Sequence, residues 1–223
     1  NDANVDLIEP AEGDVLATID GALSEERLGS SSLAGDVNGD GIDDFIVGSY
    51  TSTPWGSGVA VPGQAYVVFG GSSDEIDLAE LGEQGFAIRG PQRGRDRLGI
   101  SVSEAGDVNG DGLDDLLIGA DGVYNAATGE RPGTAWVVWG SASTSTVFTN
   151  PTAGTTVWSC GAEETPGTGV CSPGELQPRG YVMLGQDTST GTASESTGYS
   201  VASAGDVNGD EIPDFVIGAY GYD

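Results

Sequence analysis

Oxygen-bearing side chains recur at one fixed spacing in three places along this chain. In "DVNGDGIDD", "DVNGDGLDD" and "DVNGDEIPD" they occupy positions 1, 3, 5 and 9 of each loop: Asp36, Asn38, Asp40 and Asp44; Asp107, Asn109, Asp111 and Asp115; Asp206, Asn208, Asp210 and Asp214. Hard divalent cations such as Ca²⁺ favour about six to eight oxygen ligands. A tight loop with a central glycine also turns a backbone carbonyl toward the ion, expected at position 7 on Ile42, Leu113 and Ile212. Carboxylates this close repel one another unless a dication lies among them. A single such loop reads equally well as a solvated acidic turn. Three in register at the same point of a repeat favour cation sites, with up to three Ca²⁺ ions. Position 12 separates the known loop classes, because an EF-hand places a bidentate Glu there between flanking helices. Val47, Ile118 and Ile217 stand there instead, each inside a β-branched or aliphatic run.

The elements that must carry these loops are short strands. The loops start at Asp36, Asp107 and Asp206, at intervals of 71 and 99 residues, and the similarity extends well beyond them. "LGISVSEAG", then the acidic loop, then "LLIGAD", "TAWVVWG" and "YVMLG" give four strands per unit, each bounded by glycine or turn residues. That is one blade of a β-propeller. Solenoid repeats are shorter and sandwiches seldom repeat in sequence. The predicted fold is therefore all-β, a propeller of four-stranded antiparallel blades with about two and a half blades present. A fourth-type strand is expected at about Val15 to Asp20, after an N-terminal segment at 1–14. Blades fill 15–223, with an insertion at about 141–179 enlarging the second interval. The strand count does not close a ring, so either the sequence is a fragment of a longer chain or copies and partners complete it.

"LGSSSLAGDVNGDGIDDFIVGSY", "LGISVSEAGDVNGDGLDDLLIGAD" and "TGYSVASAGDVNGDEIPDFVIGAY" resemble FG-GAP repeats, the blades of the integrin α-subunit propeller and its bacterial relatives. The resemblance spans roughly residues 15–223. It implies a seven-bladed ring, Ca²⁺ held by the loop joining the first two strands of a blade, and ligand binding on the opposite, upper face. The third repeat departs from the pattern. Glu211 replaces the glycine and Pro213 an aspartate, and neither is an expected side-chain ligand, although loss of the glycine strains the turn.

Charge narrows the partners. Thirty-five acids face seven bases, all arginine, for a net charge of −28, which disfavours nucleic acid and anionic membranes. No apolar run is long enough for a membrane-spanning helix, so membrane insertion is not expected. Chain topology puts the acidic loops and the insertion at one end of the blades. The insertion holds both cysteines, Cys160 and Cys171, read as a disulfide-stapled loop with two free thiols as the alternative. At the other end stand Trp55, Arg93, Arg95, Arg97 and Tyr124, either a recognition patch for a protein or glycan or arginines that offset nearby acids such as Asp96 and Glu104.

Catalysis is not expected. The chain has no histidine for acid–base work and no lysine, and its clustered acids are already assigned as ligands. The leading reading is a secreted, calcium-stabilised module for protein or glycan binding or adhesion, located at the cell surface, in the periplasm or outside the cell. Its partners are a protein or glycan ligand, or further propeller blades of the same or another chain. Two rivals stand beside it: a structural subunit of a larger extracellular assembly, and an accessory part of a polysaccharide-active enzyme using carboxylates such as Glu104, Asp121 and Glu195.

Overall fold

Apolar residues run unbroken through the central strands instead of alternating, which marks strands covered on both faces. In a computed structural model of the chain the described residues are 4–8, 15–20, 26–51, 62–71, 75–90, 96–123, 131–144, 147–148, 156–159, 177–185 and 196–221. Among them every element is a strand. The chain opens with β1 (Asn4–Ile8) and β2 (Val15–Asp20), then builds a first blade from β3 (Glu26–Gly35), β4 (Asp44–Thr51), β5 (Gln64–Val68) and, after the short β6 (Glu75–Asp77), β7 (Gly85–Arg89). The second blade uses β8 (Ser101–Gly106), β9 (Asp115–Ala120) and β10 (Thr134–Val138). Two further short strands, β11 (Val147–Phe148) and β12 (Thr156–Ser159), precede its fourth strand, β13 (Gln177–Leu184). A third blade begins with β14 (Ser200–Gly205) and β15 (Asp214–Gly218). All neighbours within a blade are antiparallel, in the order first, second, third, fourth. The fold is that of propeller blades, as the repeat pattern led us to expect.

Every residue of β5, β9 and β10 is buried, because each blade is sandwiched between its neighbours. Ile46, Val67, Phe86 and Ile88 of the first blade share one cluster with Val102, Leu116, Ile118, Trp136 and Val138 of the second. The other face of the second blade gives Leu117 and Val137 to a smaller cluster with Val201 and Phe215 of the third. On the outer face of the first blade, Val47, Tyr66, Val68 and Ala87 pack with Ile19, Ile76, Leu78 and Leu81. At about 25 cal/mol per Å² of apolar surface buried, these seams are the main source of stability.

Two glycines let the seams close. A Cβ on Gly48 would strike the carbonyl oxygen of Gly99, and one on Gly119 would strike that of Gly198. The first strands of successive blades are also stitched by serines: Val102 N–H donates to Ser30 Oγ at 3.1 Å, and Ser203 N–H donates to Ser103 Oγ at 3.1 Å.

Two short strands tie each blade to the one before it. β6 runs parallel to β2, with Ile76 beside Ile19, and β11 runs parallel to β7, with Val147 beside Ile88. β2 therefore stands where the fourth strand of a preceding blade would stand, which agrees with the fourth-type strand expected at Val15 to Asp20. β1 lies antiparallel to β2, as β5 does to β7, and so occupies a third-strand position that the sequence pattern did not reveal. The segment 141–179 contributes β11, β12 and the start of β13, and β12 pairs antiparallel with both of them. Cys160 and Cys171 lie outside the described residues, as do Trp55, Arg93, Arg95, Tyr124 and Glu195.

Candidate metal centre

The three acidic loops join the first and second strands of their blades, at the end where β10 leads into the segment before β13. Each is framed by its own first aspartate. Asp36 Oδ1 accepts from the N–H groups of Gly39 (2.7 Å) and Asp40 (3.0 Å), and its Oδ2 accepts from Gly41 N–H (2.9 Å). Asn38 Oδ1 accepts from Asp40 N–H, and Asp40 Oδ1 accepts from Ile42 N–H, both at short range. Asp and Asn favour such local closures, since a short carboxylate or amide reaches backbone amides a few residues on. The second loop repeats the frame on Asp107, Asn109 and Asp111. The third repeats it on Asp206, Asn208 and Asp210. Those amides hold the exposed Asp206 carboxyl below the usual carboxylate range, the bond from Glu211 N–H most of all.

Position 9 differs from the other three. Asp44 and Asp115 are buried, and both oxygens of each accept backbone amides. Asp44 takes Val37 N–H at 2.9 Å and Gly70 N–H at 2.7 Å, while Asp115 takes Val108 N–H at 3.0 Å and Gly140 N–H at 2.9 Å. These residues anchor the loop to the end of the third strand. Desolvation pushes the Asp115 carboxyl up to about 6, and repulsion from Asp111 and Asp107 adds to the shift. Asp44 is raised for the same first reason, with Asp40 contributing repulsion. In the first two loops positions 1, 3 and 5 thus share one partly exposed loop above a buried position 9, whereas Asp214 of the third loop is only half-buried. Among the described residues no three acidic, histidine or cysteine side chains surround a common centre. The donors are nonetheless oxygen only, with mutually repelling carboxylates beside a desolvated one, a chemistry that suits a hard dication. The position 7 residues give their N–H groups to the position 5 carboxylates.

Glu211 shows what the missing glycine does. Its φ of 71° is the left-handed conformation that Gly41 (85°) and Gly112 (91°) adopt in the other loops, so the turn is kept under strain. Replacing Glu211 with Gly is expected to stabilise the third blade by about 0.5–1 kcal/mol, the relief of strain exceeding the entropy gained by the unfolded chain. Urea unfolding of the variant against the parent, at matched slope, checks it.

The opposite end carries a different arrangement. Arg97 Nη1 donates to Asp121 Oδ2 at 2.8 Å, and its guanidinium lies 5.8 Å from the Tyr50 ring centre. Arg97 therefore offsets an acid, though Asp121 and not Asp96 or Glu104. Buried Asp96 accepts from Gly63 N–H at 3.0 Å, and desolvation raises its carboxyl to about 6. Glu104 pairs with Leu116 and Ser101 with Gly119, so Glu104 and Asp121 stand at opposite ends of the β8–β9 hairpin. Sequence reasoning named Asp96 only as an acid to be offset, and missed Asp114 and Arg179. Arg179 is buried, donates to the Trp139 carbonyl from Nε and Nη2, and is near enough to Asp115 to interact with its charge. Its one available signal was that a base stands directly before the glycine that precedes "YVMLG".

Four-stranded blades with an acidic loop between the first two strands define this as a β-propeller protein. The chain is similar to the FG-GAP repeat family over residues 28–68 and 101–138. It is also similar to Integrin alpha-PS2 of Drosophila melanogaster, 26% identical over 208 residues. That match covers 92% of this chain and 12% of the relative's length.

Proposed function

We propose that this chain is a calcium-stabilised propeller module for protein or glycan binding or adhesion, working outside the cytoplasm and without catalysis. The observation that carries this reading is the threefold recurrence of one hydrogen-bonded acidic loop, at the same place in three blades. Side chains at positions 1, 3, 5 and 9, with the position 7 carbonyls, would hold each ion. Bound Ca²⁺ would neutralise the carboxylates and fix the loop between the first two strands. Affinities of extracellular calcium modules, around 10⁻⁴ to 10⁻³ M, match millimolar calcium outside the cell. The similarity to an integrin α-subunit supports an adhesive role at the cell surface, and no helix among the described residues is long and apolar enough to cross a membrane.

One observation bears on the second reading, in which further blades of the same or another chain pack against the third. Val207 is 73% and Val216 58% exposed, whereas at the same repeat positions of the other blades Val37, Ile46 and Leu117 are fully buried and Val108 is half-buried. The face that bears these two valines has the composition of a blade seam. Calorimetric titration with calcium, followed by light scattering, tests both. Up to three ions at sub-millimolar to millimolar affinity are expected, and no binding heat at millimolar calcium removes the calcium reading. A calcium-dependent mass well above 22.5 kDa favours the subunit, and a monomer that binds glycans or proteins favours the adhesion module.

A further inference from the structure

The first acidic loop is held from outside its own blade. Asp36 N–H donates to Asp114 Oδ2 at 2.8 Å, and Asp114 N–H donates back to the Asp36 carbonyl at 3.1 Å. Asp114 stands at position 8 of the second loop, so one residue of the second blade grips both peptide groups that flank Asp36. Asp36 in turn organises the whole first loop through Gly39, Asp40 and Gly41. Leu113, next to Asp114, lies so close to Gly39 that a Cβ there would meet its Cδ2 at 2.8 Å. The same place at the next seam is filled by Pro213. A Cβ on Gly35 would meet Asp114, and a Cβ on Gly106 would meet Pro213 at 2.7 Å. Proline has no N–H to donate and no carboxylate to accept, so it can make neither bond to Asp107.

We propose that Asp114 is a positioning residue that makes cation binding in the first loop a property of two blades, whereas Pro213 leaves the second loop to its own blade. The cation half of this inference rests on the calcium reading above; the latch itself does not. Binding at the first loop and closure of the first seam then strengthen one another reciprocally, as any coupled pair of equilibria must. Asp43, the position 8 residue of the first loop, is exposed and serves as an internal control.

Amide hydrogen exchange measured by NMR on the full chain, with chelator present, tests the latch without calcium. Asp114→Ala is expected to speed exchange at Asp36 by about tenfold, the loss of a charge-assisted hydrogen bond. Asp114→Asn, which keeps an acceptor oxygen, should restore most of the protection, and Asp43→Ala should leave Asp36 unchanged. Pro213→Asp supplies the missing groups at the second seam and should slow exchange at Asp107. That variant decides the matter even where Asp114→Ala fails to fold. Calcium titration followed at the Gly39 and Gly41 amides should show first-loop affinity about tenfold weaker in Asp114→Ala than in the parent. Unchanged Asp36 exchange in Asp114→Ala, no rescue by Asp114→Asn, or no slowing at Asp107 in Pro213→Asp overturns the latch. A parent protein whose glycine amides ignore calcium removes the calcium reading and leaves the exchange result to stand alone.

Discussion

Stripping calcium from the protein is expected to lower its melting temperature by roughly 10 °C. An ion that binds only the folded state stabilises it by RT ln(1 + [L]/Kd), about 1–2 kcal/mol per loop at a few millimolar calcium for affinities of 10⁻⁴ to 10⁻³ M. Two or three such loops sum to several kcal/mol, and a domain of this size shifts by about 2–4 °C per kcal/mol. Scanning calorimetry with calcium and with chelator measures it, and identical melts would falsify the calcium assignment. Acid should partly replace the ion. The Asp115 carboxyl is raised to about 6 in the fold, so the folded state holds its proton more tightly than the unfolded chain does. Stability of the chelated protein therefore rises as pH falls from 7 toward 5, and it is lost again as pH climbs through 6. Asp96 adds to the trend independently of any metal, since its carboxyl is raised to about 6 at the opposite end of the blades. The calcium increment should shrink over the same window, as protons and cations compete for one set of oxygens.

Gly119→Ala should cost about 3 kcal/mol or more, among the larger single losses a chain of this kind can suffer. The added methyl would strike the backbone carbonyl of Gly198, and backbone at a seam has no rotamer with which to yield. Relief requires the second and third blades to part, exposing Val137 and its neighbours. The equivalent change at Gly48 meets the Gly99 carbonyl and should behave alike. At Gly218, the same position of the third blade, the nearest obstacle is the Ser200 hydroxyl, which can rotate away. Gly218→Ala should therefore stay within about 1 kcal/mol of the parent. Chemical denaturation of the three variants orders them. A mild Gly119 variant beside a severe Gly218 variant would place the constraint inside the blade and not at its seam.

Long apolar strands and the loops between them were legible because their signals are local. "LLIGAD" and "TAWVVWG" announce strands, β9 begins one residue before the first and overlaps it, and β10 falls within the second. The short strands were not legible. β6 and β11 are three and two residues long and exist only because β2 and β7 lie alongside them. No periodicity can be read over so few positions. The loops were legible as a repeated acidic motif between strands, but spacing alone did not separate positions 1, 3 and 5, which are closed by their own loop amides, from position 9, which in the first two loops is buried and tied to Gly70 or Gly140. Alternation along a chain specifies direction and not depth. Asp114 escaped notice for a related reason: its partner is Asp36, 78 residues away, and only the packing of blades brings them together.

The parallel pairing of β6 with β2, and of β11 with β7, has a bearing on how such arrays lengthen. Each of the first two units carries, between its third and fourth strands, a short segment that reaches backward to lie along the strand that closed the unit before. A duplicated gene segment therefore arrives with its own fastener. An array can grow by copying, each new member buttoned to its predecessor from birth, without any fresh surface having to evolve.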